Sequence, residues 1–296
     1  MRLFVFVSLL TLVLLSGSAV AQQEARQLPV FVETFDNNPV EDAALVLRGA
    51  ALDRLSWNDD APAFPGDSAG SWTAVYDARM PSGLAGWTLP RYFDETQPFT
   101  ATSVFVIDSD EFQADPFGFF QISWGLWNSE TTGLERTGTL ENFAGDTFEL
   151  VEFDYFPNVS PFFGGPFVGP SAFGVADPDN PLFDFLGSFI NAGFASVELE
   201  LPLDEPLIAV LEHDPAADRV TSSVYRFDES GVPVLIPGSV SAAPLDGMGL
   251  RRYELDTVGL TLWRDGFSGE TPTVFARVHY HRLEVRPGVA IPQAGE

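Results

Sequence analysis

The chain has 296 residues, no cysteine, and 42 acidic against 15 basic residues, which gives a formal net charge of −27 at pH 7. A surface this acidic repels nucleic-acid phosphates, so nucleic acid is a poor partner, and the lack of cysteine excludes a disulfide framework. With 45% hydrophobic residues and 27 phenylalanines, the chain is long enough to be stabilised by a large core instead.

The first 21 residues are predicted to be a signal peptide. Arg2 is followed by an almost wholly apolar run from Leu3 to Leu15, and residues 19–21 (AVA) have the small-x-small pattern of a cleavage site. The run is shorter than the about 20 residues that a membrane-spanning helix needs. We therefore expect a secreted protein, extracellular or periplasmic, with no membrane span after cleavage and with residues 22–296 as a single β-sandwich domain.

Short segments between evenly spread glycines and prolines are rich in Phe, Val, Leu, Thr and Tyr, which is typical of an all-β sandwich or barrel. The best helical candidate is 181–194, although two glycines interrupt it. We expect the first and last strands to pair, as terminal strands do in jelly-roll sandwiches. Strands outside the segment discussed next are predicted at 29–35, 119–127, 196–201, 206–212, 219–227, 252–263 and 273–285.

The segment 152–158, EFDYFPN, is the most informative stretch of the sequence. Alternation places Val151, Phe153 and Tyr155 on one face of a strand, from which they can enter a core. Two carboxylates then lie about 6.6–7 Å apart along the other face. Buried carboxylates this close need a cation or strong hydrogen-bond donors, and calcium suits carboxylate, carbonyl and amide oxygens. That face carries Glu152, Asp154, Phe156 and, after a bend, Asn158.

This stretch resembles the metal-site strand of the legume-type lectins, which runs Glu-apolar-Asp-x-aromatic-x-Asn. Those lectins belong to the concanavalin A-like lectin/glucanase superfamily, whose fold is an all-β jelly-roll sandwich of two large antiparallel sheets. The resemblance implies that Glu152 binds a transition metal and that Asp154 bridges this metal to calcium. It also implies that the backbone carbonyl of Phe156 binds calcium, and that Asn158 binds both calcium and the sugar.

The sequence departs from the lectin pattern directly after Asn158. The lectins place a further Asp and a His shortly after the Asn, whereas residues 159–175 contain neither an acid nor a histidine. We therefore expect the transition-metal site to be missing, and calcium would need another ligand, for which Asp177 and Asp179 are candidates. The alternative is that the two acids are structural and are hydrogen-bonded or solvated at a sheet face.

The same acids can be compared with a catalytic pair. Many glucanases of this superfamily carry Glu-x-Asp-x-(x)-Glu on one strand, and retaining hydrolysis uses two carboxyls. Here Phe156 or Pro157 occupies the position of the second Glu, which argues against that mechanism. A second Glu-x-Asp, at 254–256, also lacks a third acid. No catalytic residue is therefore assigned.

Other segments give further candidates. In WGLWN at 124–128, Trp127 lies opposite the apolar set and precedes Asn128, so these two residues are the predicted aromatic platform for a sugar. His279 and His281 have a spacing that can hold zinc, although such a pair is more often structural. His213 is expected in a turn. The segment 156–174 is interpreted as an irregular loop whose phenylalanines either cap the sandwich or stack on sugars.

The sequence thus predicts a secreted, non-catalytic carbohydrate-binding (lectin-like) or surface-interaction protein. Its candidate cofactor is calcium, and its candidate partner is a polysaccharide or a cell-surface glycan. Two alternatives stay open: a divergent secreted glycoside hydrolase or polysaccharide lyase, and a structural envelope or matrix protein without a small ligand.

Overall fold

The computed structural model describes residues 29–59, 62–64, 67, 70–77, 79–113, 120–134, 149–158, 165–176, 189–245, 250–264 and 275–289. The predicted signal peptide and the calcium-ligand candidates Asp177 and Asp179 lie outside the described residues. Among the described residues there is no helix that has both the length and the apolar character to cross a membrane.

The described chain is built almost entirely of β-strands, with two short 3-10 helices. The helices are η1 (Pro39–Glu41), whose first turn is capped by the Asn38 side chain, and η2 (Ala51–Arg54). The strands are β1 Phe31–Glu33, β2 Leu45–Gly49, β3 Leu55–Asn58, β4 Ser71–Asp77, β5 Gly83–Asp94, β6 Phe99–Gln113, β7 Phe120–Trp127, β8 Leu150–Asn158, β9 Phe167–Ala176, β10 Phe189–Phe194, β11 Val197–Glu198, β12 Leu207–Asp214, β13 Arg219–Phe227, β14 Pro233–Leu235, β15 Ser241–Pro244, β16 Leu250–Arg252, β17 Glu254–Leu262 and β18 Phe275–Pro287.

These strands form two antiparallel sheets, each of nine strands within the described residues. Sheet A has the order β14-β13-β12-β6-β18-β4-β3, with β1 paired to β18 and β15 paired to β13. Sheet B has the order β10-β9-β8-β7-β17-β5-β2, with β11 and β16 both paired to β9. The predicted all-β sandwich of two antiparallel sheets is confirmed. The predicted pairing of the first and last strands is also confirmed, since Phe31 lies opposite Val285.

One continuous hydrophobic core lies between the two sheets. Strand β12 shows how it forms, because Leu207, Ala209 and Leu211 are buried while the residues between them are partly exposed. Trp72 of sheet A and Trp87 of sheet B meet edge to face with ring centroids 4.9 Å apart. Burial of one such large apolar side chain stabilises the fold by about 1.5–3 kcal/mol, so this core holds the sheets together.

Sheet B is also buried on the face that points away from sheet A, which we call its outer face. A second hydrophobic cluster lies there, since Trp127 and Leu150 alternate with Leu126 and Val151 of the main core. The second cluster consists of Leu84, Trp127, Leu150, Phe173 and Trp263. The central strands of sheet B therefore have no face that is simply solvent-exposed, and their polar side chains need partners within the protein.

Three glycines lie side by side across the middle of sheet B. Gly86 is opposite Gly259, Gly259 is opposite Gly125, and Gly125 is opposite Glu152 on β8. A Cβ atom at Gly259 would come closer than 3.0 Å to backbone atoms of Ala85 and Gly86, and one at Gly125 would come equally close to backbone atoms of Val151 and Glu152. The strands approach one another this closely because no side chain stands between them.

A buried arginine joins the two sheets at one end of the sandwich. The Arg54 guanidinium donates to the carbonyl of Leu262 on β17, at 2.8 Å, and to the carbonyl of Asp77 on β4. Burial lowers the pKa of Arg54 to about 10, and the nearby Asp77 carboxylate opposes this shift. Because β17 belongs to sheet B and β4 to sheet A, one side chain connects the ends of both sheets.

Two predictions about longer segments are wrong. Of the proposed helix at 181–194, Phe189–Phe194 forms strand β10, and residues 181–188 lie outside the described part of the chain. Of the proposed loop at 156–174, residues 156–158 are the end of strand β8, residues 167–174 belong to strand β9, and residues 159–164 lie outside the described part of the chain. Strand β9 pairs with β8 along one edge and with β10 along the other, so ladder pairing overrides the poor strand propensity of its glycine and proline residues.

Replacing Gly259 by alanine is expected to lower the free energy of unfolding by about 2–3 kcal/mol, because the new Cβ would collide with backbone and the strands would have to separate. Chemical denaturation of both proteins measures the difference. Thr88→Ala on neighbouring β5 is the control, since Thr88 is exposed and its truncation is expected to cost no more than about 0.5 kcal/mol. Equal stability of the two variants would contradict the close approach.

Candidate functional site

The acidic pair of the motif lies in the middle of sheet B. As alternation predicted, Glu152 and Asp154 share the outer face of β8, while Phe153 between them enters the main core. The exposed fraction of the surface is 0% for Glu152 and 1% for Asp154. Two ionisable groups with so little contact with solvent must be stabilised by hydrogen bonds or by opposite charge.

Asp154 accepts hydrogen bonds from both strands that flank β8. The amide nitrogen of Gln121 on β7 donates to Oδ1 at 2.9 Å, and the hydroxyl of Ser171 on β9 donates to Oδ2. Gln121 and Ser171 are themselves buried. The carboxylate therefore ties three neighbouring strands together.

Glu152 reaches beyond its neighbouring strand. Its Oε2 accepts from the Thr261 hydroxyl at 2.8 Å and from the Trp263 indole N–H at 3.2 Å. Thr261 lies on β17, with β7 between it and β8. The residue of β7 opposite Glu152 is Gly125, whose missing side chain leaves room for the carboxylate to cross. The sequence shows Gly125 but gives no sign of this pairing.

The remaining predicted metal-site residues follow along β8. Phe156 is buried, and its ring meets Phe194 edge to face at 6.1 Å between centroids. Asn158 is the last residue of β8, and its backbone lies opposite Phe120. The positions of Glu152, Asp154, Phe156 and Asn158 thus follow one another at every second residue of one strand.

The predicted aromatic platform lies at the other end of the sheet. Trp127 is opposite Leu150, whereas Asn158 is opposite Phe120, so these two positions are about 25 Å apart along β8. Trp127 has 0% of its surface exposed and presents no free ring face in this conformation. The structure therefore does not bring Trp127 and Asn158 into one site, and their roles in sugar binding stay predictions.

Asn128 has a local structural partner for each end of its side chain. Its Oδ1 accepts from the backbone N–H groups of Glu130 and Thr131, both at 2.9 Å, and its Nδ2 donates to the Glu254 carbonyl at 2.8 Å. These bonds cap the turn that follows β7 and fasten it to β17. A sugar would have to compete with them, so a role for Asn128 in binding also stays a prediction.

The described residues do not by themselves form the metal site that the resemblance implies. They contain no group of three or more His, Asp or Glu side chains arranged to hold a metal ion. Among the described residues, the groups shown bonded to the two acids include an amide NH2, an indole N–H and hydroxyls, whereas a calcium site needs converging oxygen acceptors. Metal binding by Glu152, Asp154, Phe156 and Asn158 stays a prediction that would require ligands from residues outside the described ranges.

The two histidines of β18 lie in sheet A and have different partners. The Nδ1 of His279 is hydrogen-bonded with the Thr73 hydroxyl at 2.9 Å, and its Nε2 is 3.8 Å from an Asp108 carboxylate oxygen. His281 is 3.1 Å from Asp67. A β-bulge falls between residues 280 and 282, so the simple alternation that was expected to bring the two rings together is interrupted.

His213 lies in strand β12 rather than in the turn expected from the sequence, and it is fully buried. Its ring stacks on Phe99 with centroids 5.0 Å apart, and its Nδ1 is 2.9 Å from the Gln97 carbonyl oxygen. Its Nε2 is hydrogen-bonded with the Tyr253 hydroxyl. Burial lowers the pKa of His213, and the Gln97 carbonyl partly opposes the shift. His213 and Tyr253 are thus packed together inside the protein.

Because the pKa of His213 in the folded protein lies below its ordinary value of 6.5, the unfolded chain binds this proton more readily. The wild type is therefore expected to lose stability as pH falls below about 6.5, and His213→Gln should lose less over the same interval. Denaturation curves across this range measure the difference. Tyr253→Phe, which keeps His213 buried, should be less stable than the wild type but keep its pH dependence. An unchanged pH dependence in His213→Gln would contradict the shift.

Fold and site together define a two-sheet antiparallel β-sandwich with a buried acidic pair in its second sheet. No family model and no curated protein matches the chain. Solved structures that it resembles include a Lotus tetragonolobus seed lectin, with 12% identity and a TM-score of 0.49 over 88% of this chain and 99% of that one. A marine PL-14 alginate lyase from Aplysia kurodai has 8% identity and a TM-score of 0.48 over the same shares.

A carbohydrate esterase from the Shiga toxin-encoding bacteriophage phi24B has 10% identity and a TM-score of 0.43, over 88% of this chain and 99% of that one. These structures include both a lectin and enzymes. At such identities and TM-scores, the similarity carries no argument about the site or the function of this chain.

Proposed function

We propose that the protein binds carbohydrate without catalysing a reaction, and that the glycan docks at the Asn158 end of β8. The observation that carries this proposal is the course of β8, which holds Glu152 and Asp154 as buried hydrogen-bond acceptors and ends at Asn158. An asparagine amide both donates and accepts hydrogen bonds, as recognition of sugar hydroxyls requires. The two anchored acids hold this strand end in place.

The described residues support binding better than catalysis. A general acid or nucleophile must reach the substrate directly or through one water, whereas both acids of β8 are almost fully buried. Phe156, at a position where the related glucanases carry a second Glu, packs against Phe194. The histidines of β18 belong to the other sheet. Among the described residues, none of these side chains is therefore placed to act as a general acid or nucleophile of a hydrolase or lyase at this end of β8.

The proposal does not depend on calcium, which the resemblance implied as a cofactor. Binding through an amide and backbone groups needs no cation. A structural envelope or matrix protein is the remaining alternative, and it predicts that no glycan is bound at all.

A glycan array tests the proposal with the secreted wild type and with Asn158→Ala. We expect the variant to lose about tenfold or more in apparent affinity for the glycans that the wild type binds, which corresponds to about 1.4 kcal/mol. Asn37→Ala, the same change at an exposed turn, is the control and should bind as the wild type does. If Asn158→Ala binds the same glycans as tightly as the wild type does, the site does not lie at this end of β8. If the wild type binds no glycan on the array, the structural alternative is favoured.

A further inference from the structure

We infer that the acidic pair of β8 is a metal-free structural joint, in which protein donors replace the ions that the lectin-like motif implies. Glu152 and Asp154 fasten β8 to β7, β9 and β17, and the stability of the sandwich does not depend on a divalent cation at this pair. This inference goes beyond the proposed function, because the joint can exist whether or not a glycan binds.

Asp154 is held by hydrogen-bond donors from two strands. Each of its oxygens receives a donor from a different flanking strand, Gln121 from β7 and Ser171 from β9. Only the NH2 end of a glutamine can hydrogen-bond a carboxylate, so Gln121 presents hydrogens, rather than an oxygen ligand, at this position. Hydrogen bonds to an ionised acceptor are stronger than neutral ones, and they stabilise the buried charge as a cation would.

Glu152 is likewise held by hydrogen-bond donors. The indole N–H of Trp263 is a donor that cannot act as a ligand, and it lies 3.2 Å from Oε2. The Thr261 hydroxyl lies 2.8 Å from the same oxygen. A metal ion bound to this oxygen would meet the partial positive charge of the indole hydrogen, so this arrangement suits a carboxylate that is stabilised by donors.

The sequence directly after β8 differs from the metal-site pattern of the lectins. Residues 159–175 lack the acid and the histidine that complete the metal site of the legume-type lectins. Residues 159–175 thus lack lectin-type ligands, and the described strands place donors beside the two acids of β8. Gly125 allows one of these donors to be reached. Because this position of β7 has no side chain, the Glu152 side chain can cross it to meet Thr261.

The first experiment measures the melting temperature of the protein from residue 22 to residue 296 in chelator, in excess Ca²⁺ and in excess Mn²⁺, beside that of Asp154→Asn. We expect no shift between these conditions. A shift of equal size in wild type and variant would place a cation elsewhere and would also support the inference. A shift that the wild type shows and Asp154→Asn loses would overturn it. Glu152→Gln gives the same comparison if Asp154→Asn does not fold.

The second experiment tests the donors with a matched pair of substitutions. Trp263→Phe removes an N–H that donates to Glu152. Trp127→Phe makes the same change in the same cluster, at an indole nitrogen that has no hydrogen-bond partner among the described residues. We expect the melting temperature of Trp263→Phe to fall below that of Trp127→Phe by about 3–10 °C. An equal or smaller loss in Trp263→Phe would overturn the role of the indole as a donor to the pair.

Discussion

The central strands of sheet B are buried on both faces, and this constraint shapes the rest of the molecule. A polar side chain in such a sheet cannot turn to water, so it must find its partner in a neighbouring strand. Among the described residues, Glu152 and Asp154 do this through Gln121 on β7, Ser171 on β9, Thr261 on β17 and Trp263, which directly follows β17. The row of glycines across sheet B contributes to this pairing. It lets the strands approach closely and leaves room for the Glu152 side chain to cross β7.

The sequence predicts well those features that depend on period-2 alternation within one strand. The acids of β8 share a face and β12 alternates between buried and partly exposed residues, because burial of one face fixes which residues turn inward. The glycine row was not predictable in this way. Gly86, Gly125 and Gly259 are far apart in sequence, and only the strand order places them side by side.

The candidate site shows the same limit. The acids could be found from EFDYFPN, but their donors come from strands whose order the sequence does not reveal. Asn128 and Asn158 were both expected to bind a sugar, and antiparallel pairing of β7 and β8 places them at opposite ends of sheet B. Likewise, the predicted strands at 252–263 and 273–285 are neighbours in sequence, yet β17 and β18 belong to different sheets.

If the protein binds a glycan, as proposed, the charge of the chain limits which glycans can approach it. Several arginines are paired at close range, as Arg79 is with Asp77 and Arg282 is with Glu284. The net charge of −27 already counts every arginine, so the field of the chain as a whole is negative. Such a field repels uronate-rich and sulfated polysaccharides and leaves neutral ones unaffected. If β8 ends at a sugar site, electrostatics favours a neutral glycan, recognised through hydroxyl groups and apolar ring faces rather than through charge.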